Sequence, residues 1–206
     1  GGKHGIFATN QGTGALSITT TGNATGTKYH GISARNGNRE NPAGTDLTIN
    51  AAATTGGGHG IKAENNGTGA LSITTTRKAT GTKYDGIYAK NGGFENPAGT
   101  DLTIVTGEFD AEGNLIKSVD TTGDGNGIRA RNYGSGALSI TTTGTTTGTN
   151  GDGIFAYNKG TDLTINAATT KGGSGIYANN RGSGALSIKT TGKTTGNFHG
   201  ISARHY

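Results

Sequence analysis

Residues 60–81 run Gly60-Ile61-Lys62-Ala63-Glu64-Asn65, then Asn66-Gly67-Thr68-Gly69, then Ala70-Leu71-Ser72-Ile73-Thr74-Thr75-Thr76, and after Arg77-Lys78 close on Ala79-Thr80-Gly81. Ile61, Ala63 and Asn65 share one parity, and so do Leu71 and Ile73. A two-residue period places alternate side chains on one face of a strand, and nothing in the stretch has the period of a helix. Gly, Asn and Thr separate the motifs, so the segment reads as three short strands joined by turns.

The pattern recurs along the whole chain. G-I-x-A returns with its isoleucine at Ile6, Ile32, Ile61, Ile87, Ile128, Ile154, Ile176 and Ile201. L-[ST]-I begins at Leu16, Leu47, Leu71, Leu102, Leu138, Leu163 and Leu186, and a threonine beside glycine follows at Thr25, Thr55, Thr80, Thr122, Thr147, Thr170 and Thr195. Repeats of this length, each unable to bury its own apolar face, signal a solenoid whose core forms by stacking. The expected fold is all-β: one right-handed parallel β-helix over residues 1–206, three-sided, of about eight coils. At about 4.8 Å per strand the rod is roughly 35–40 Å long.

Composition alone points elsewhere. Leu, Ile, Val and Phe make up about 15% of the 206 residues, a disordered-like share. The net charge of +5 is modest, however, and fifteen of sixteen isoleucines sit in the first two motifs. Placement outweighs abundance. Without cysteine there is neither a disulfide framework nor a thiolate metal site, so stacking must supply the stability. No apolar run approaches the length of a membrane span, and no membrane insertion of this segment is expected.

Four residues after the motif isoleucine stand Asn10, Asn36, Asn65, Asn91, Asn132, Asn158 and Asn180; the last coil has His205 instead. These asparagines share the inward parity where the strand must turn. Carboxamides both donate and accept, so a stacked internal ladder would satisfy the turn backbone. Their role is structural.

The outward positions of the same strand form two columns. One is Phe7, Ser33, Lys62, Tyr88, Arg129, Phe155, Tyr177 and Ser202; the other is Thr9, Arg35, Glu64, Lys90, Arg131, Tyr157, Asn179 and Arg204. Six bases and five aromatics stand against one acid. Such a face suits an acidic protein surface or a sulfated glycan, by steering at range and anchoring at contact. Solvated strand residues of good β propensity are the plain alternative. Two longer connections carry Glu40-Asn41-Pro42 and Glu95-Asn96-Pro97, and residues 105–120 read as an inserted loop or β-hairpin turning around Glu112 to Asn114. Insertions on a solenoid map to surface loops, often on the binding side.

Asn66 to Thr76 (N-G-T-G-A-L-S-I-T-T-T), G-T-D-L-T-I at 44–49 and G-T-N-G-D-G-I-F-A-Y-N at 148–158 resemble the passenger region of Gram-negative autotransporters, over essentially the whole chain. Within that family they are most similar to the Bartonella angiogenic-factor group. The resemblance implies a secreted or cell-surface location after export through the outer membrane. It also implies a host-directed protein ligand, a proangiogenic mitogen engaging an endothelial growth-factor receptor. A signal peptide and a carboxy-terminal membrane barrel are implied for the parent protein, and the chain is expected to be a released passenger or a fragment of one. A non-signalling adhesin for host glycan or matrix is the alternative.

Parallel β-helices also include polysaccharide-acting enzymes. The best carboxylates for such chemistry are Asp46, Asp101 and Asp162, and their repetition in T-D-L-T-I gives no pair special status and favours a turn role. The histidines His4, His30, His59, His199 and His205 lack ligand spacing and are expected to project from turns. No catalytic residue, metal or cofactor is expected, and no nucleic-acid motif is present.

Overall fold

The computed structural model describes residues 2–38, 43–93 and 97–206. The chain is all-β and winds as a parallel β-solenoid in which each motif pairs with its own copy in the next coil. On the first face Ile6–Asn10 pairs with Ile32–Asn36, that with Ile61–Asn65, and the register continues through Ile87–Asn91, Ile128–Asn132 and Ile154–Asn158 to Ile176 and Ile201. The second face stacks Leu16 on Leu47, Leu71, Leu102, Leu138, Leu163 and Leu186. The third stacks Ala24 on Thr54, Ala79, Thr121, Thr146, Thr170 and Thr194. Seven full turns and the opening strand of an eighth result, close to the expected eight. Isoleucine never slips by one residue, because a slip would turn every apolar side chain outward.

One station of the sequence reading moves. Thr170 aligns with Thr146 and Thr194 in the inward column, and Lys171 takes the outward position beside Thr147 and Thr195. The T-T-K-G of that coil places lysine where the other coils have threonine.

The core is a thin column of Ile, Leu and Ala. Ile32, Leu47, Ile49, Ile61, Leu71, Ile73, Ile87, Leu102, Ile104, Ile128, Leu138 and Ile140 have no measurable exposure. Each contributes about 1.5–3 kcal/mol by leaving water. Ile6, Leu16, Leu186 and Ile188 in the outer coils are only partly buried, since each has a stacked neighbour on one side only. The inward threonines Thr75, Thr106, Thr121, Thr142, Thr146 and Thr170 are buried too, and their hydroxyls find no partner among the described residues.

The asparagine column forms a continuous chain of amide hydrogen bonds. Nδ2 of each residue donates to Oδ1 of the next, at 2.8 Å from Asn10 to Asn36, 3.1 Å to Asn65, 3.0 Å to Asn91, 3.4 Å to Asn132, 3.1 Å to Asn158 and 3.0 Å to Asn180. The same Nδ2 atoms reach the far side of the turn. Asn36 spans its long connection to donate to the carbonyls of Thr45 and Asp46, and Asn91 does the same to Thr100 and Asp101. In those two coils the residue after the asparagine is a left-handed glycine, Gly37 at φ 69° and Gly92 at φ 70°, which lets the chain leave the coil.

Of the connections themselves, Glu40, Asn41, Pro42, Glu95 and Asn96 lie outside the described residues, while Pro97 is exposed. The insertion is an antiparallel hairpin, Glu108–Phe109 against Leu115–Lys117, turning at Gly113 with φ 84°. It begins later than position 105, because Val105 and Thr106 still pair with Thr141 and Thr142 in the second face. Leu115 and Ile116 are the one leucine and the one isoleucine outside the two motifs, and they are 48% and 63% exposed.

Candidate functional site

Strand alternation presents both outward columns of the first face, as the register requires. The face divides into two halves of different chemistry. In the amino-terminal half, Glu64 lies in register between Arg35 and Lys90. Arg35 grips it with Nε at 3.1 Å and Nη2 at 2.7 Å, and Lys62 approaches to 3.6 Å. Burial alone would raise the Glu64 carboxyl, but the Arg35 hydrogen bond and the charges of Lys62, Arg35 and Lys90 together hold it below its usual range. One acid thus engages the bases of this half.

In the carboxy-terminal half the cations meet aromatic rings. The guanidinium of Arg131 lies 5.4 Å from the Phe155 ring centre and that of Arg129 5.8 Å. Phe155 stacks on Tyr177 with centroids 5.3 Å apart and planes 7° from parallel. Arginine prefers such faces because its planar cation is weakly hydrated and the ring quadrupole attracts it. Tyr157 packs beside Tyr133 at 5.6 Å, and burial pushes the Tyr157 hydroxyl above its usual pKa, so it remains a donor. Arg204 is exposed on the last strand, in register with Asn179.

The patch includes residues that the column reading did not collect. Tyr133, Lys159, Arg181 and Tyr206 each follow the ladder position directly, and they extend the surface around the corner. Lys159 stands 6.0 Å from the Tyr133 ring and Arg181 4.8 Å from that of Tyr206. Their fixed offset from the motif isoleucine is the signal that would have found them.

His199 and His205 are exposed on the last strand, but His4, His30 and His59 do not simply project from turns. Position two before the motif isoleucine carries His4, His30, His59, Asp85, Asn126, Asp152 and Ser174 in successive coils, and this column is a second ladder. Each side chain from His4 to Asp152 accepts the backbone N–H of its successor: His4 Nδ1 from His30 at 3.4 Å, His30 Nδ1 from His59 at 3.1 Å, and His59 Nδ1 from Asp85 at 3.1 Å. Asp85, Asn126 and Asp152 then accept through Oδ1 at 2.7–2.9 Å. The rings of His4, His30 and His59 lie 5.3 and 5.0 Å apart. Burial, with the charges of His59, Lys62 and His4, lowers the His30 pKa to about 4. Burial likewise lowers that of His59. The 3.5 Å approach of His59 Nδ1 to Asp85 Oδ2 is therefore not an ion pair, because the Nδ1 lone pair already holds the Asp85 N–H.

The carboxylates considered for catalysis have the same kind of occupation. Asp46, Asp101 and Asp162 accept the backbone N–H of Ala70, Ala137 and Ala185 at 2.8, 2.7 and 2.6 Å. Asp120 caps Thr145 similarly. Among the described residues, no group of three His, Cys, Asp or Glu side chains is placed to hold a metal ion, and no helix is long and apolar enough to cross a membrane. Comparison with protein families, with curated proteins and with solved structures finds no match.

Proposed function

We propose that this chain is a secreted binding rod of the autotransporter passenger type, acting on a host cell surface as a protein ligand rather than by chemistry. The observation that carries the binding role is the Arg131–Phe155–Tyr177 stack, in which the Arg131 guanidinium lies over a ring that is itself stacked on a second ring. The bases of the other half are engaged by Glu64, so the carboxy-terminal half is where an acidic partner gains most. Planar cations held against aromatic rings present a rigid anchor at small entropic cost. The motifs 66–76, 44–49 and 148–158, which resemble angiogenic autotransporter passengers, favour an endothelial growth-factor receptor as the partner.

The test applies the purified chain to receptor-bearing endothelial cells and follows receptor phosphorylation and proliferation, beside a folded R131S/F155A variant. Phosphorylation that the variant loses supports the ligand reading. Cell attachment without phosphorylation replaces it with a non-signalling adhesin for sulfated glycan or matrix.

A further inference from the structure

The second ladder changes character at the fourth coil, where Asp85 follows three histidines with a relative exposure of 4%. Its Oδ1 is fully occupied, accepting Asn126 N at 2.8 Å and Asn126 Nδ2 at 2.7 Å. Its Oδ2 is not. It faces His59 Nδ1 at 3.5 Å, a nitrogen whose lone pair is already committed, and Arg129 Nε at 3.9 Å, too far for a hydrogen bond. Arg129 Nε is itself buried and finds no acceptor among the described residues. A buried donor left without an acceptor is costly, and here an acceptor stands opposite it with a gap between.

The gap opens into a cleft lined by His59, Tyr84, Asp85, Tyr88, Gly125 and Arg129. The Tyr84 and Tyr88 rings lie 5.1 and 5.3 Å from that of His59, so the cleft has aromatic walls. Burial raises the Tyr88 pKa and keeps its hydroxyl protonated.

The charges decide what fits. An anion drawn to Arg129 meets the Asp85 carboxylate at the same point, and a cation drawn to Asp85 meets the guanidinium. A neutral hydroxyl suits both, donating to Oδ2 while accepting from Nε–H. Aromatic walls beside convergent polar groups favour a ligand with an apolar C–H face and hydroxyl edges. We propose that this cleft is a binding site for a neutral pyranose sugar, one hydroxyl bridging Asp85 and Arg129 and the ring lying against a tyrosine. Lys83, 5.8 Å from the Tyr84 ring centre, is the side chain that a sugar stacked on Tyr84 displaces. Arg129 and Tyr88 belong to the same outward face, but Asp85 beside Arg129 excludes an acidic partner at that point, so this site does not depend on the acidic-partner patch around Arg131.

Saturation-transfer NMR tests it, with the whole chain at neutral pH and the methyl glycosides of glucose, galactose, mannose and N-acetylglucosamine. At least one glycoside should receive saturation on the C–H protons of one ring face. The signal should fall at least about fivefold in Tyr84→Ala and in Asp85→Asn, the scale of one lost hydrogen bond or stacking contact. Asp85→Asn keeps the ladder acceptor, as Asn126 does one coil on, and Tyr84 is an exposed side chain whose loss leaves the core intact. The R131S/F155A variant should keep the sugar signal, which separates failure of this site from failure of the proposed ligand function. No transfer to any of the four glycosides, or transfer unchanged in both cleft variants, overturns the proposal and assigns the gap to water.

Discussion

The backbone N–H of His59 donates to Nδ1 of His30 across 3.1 Å, so the stacking of the second coil on the third requires a neutral His30. Protonation puts a hydrogen on each side of that contact. The folded pKa of about 4 lies below the ordinary value of 6.5, so the unfolded chain binds the proton first as pH falls. Stability contributed by His30 is complete above about pH 6.5 and is lost progressively down to about pH 4. After allowance for solvent screening at this half-exposed ring, the loss is about 1–2 kcal/mol. Thermal melts at pH 7 and pH 4.5 should show it, with hydrogen exchange rising first in residues 30–61. His30→Asn, which can accept as Asn126 does, should flatten the pH dependence; an equal slope in that variant contradicts the assignment.

Asn132→Ala removes a side chain that donates to the Gly136 carbonyl and to Asn158 Oδ1 and accepts from Gly134 N–H and Asn91 Nδ2. Several buried polar groups lose partners together, at a cost of about 3 kcal/mol or more. Asn10→Ala, in a partly exposed outer coil, should cost about 1 kcal/mol. Denaturant melts of the two variants check the gradient, and equal losses would argue against a cooperative internal ladder.

Buried threonines behave in the opposite sense. The Thr106 and Thr121 hydroxyls are buried without a partner among the described residues, so Thr106→Val and Thr121→Val replace an unsatisfied oxygen by a methyl of similar shape. Each should stabilise by about 0.5–1 kcal/mol. A fall in Tm would show that these hydroxyls bind something.

The hairpin 108–117 is joined to the solenoid by short connections and exposes Phe109, Leu115 and Ile116. Replacing it with a short glycine-containing turn between Gly107 and Val119 should leave the Tm within about 3 °C, because little apolar surface is withdrawn from water. A larger loss would mean that the hairpin supports the fourth coil.

Much of the fold is legible from spacing. A period of two within motifs and about 25 between them fixes the strand parity and the stacking register, and Asn65 on Asn91 follows from that register. The column at His30 and Asp85 is equally periodic, but its residues differ in type from coil to coil, and only the shared role of N–H acceptor unites them. Lys171 stands before Gly172 where the other coils have threonine, so a motif keyed to threonine slides by one residue to Thr170. The candidate face is legible as two columns, whereas its division is not. Whether Arg35 serves Glu64 or a partner depends on side-chain reach, and Arg131 on Phe155 depends on rotamers that the sequence does not specify.

Binding of the labelled chain to endothelial cells, measured for the parent, R131S/F155A and R35S over a range of salt concentrations, decides whether the partner sits on the half of the face that holds Arg131 and Phe155. Placement of the partner on the carboxy-terminal half predicts that R131S/F155A binds at least about tenfold more weakly and with a shallower salt dependence, while R35S, whose charge is spent on Glu64, binds within about twofold of the parent. Unchanged binding by folded R131S/F155A would contradict the account and move the contact to another surface of the rod.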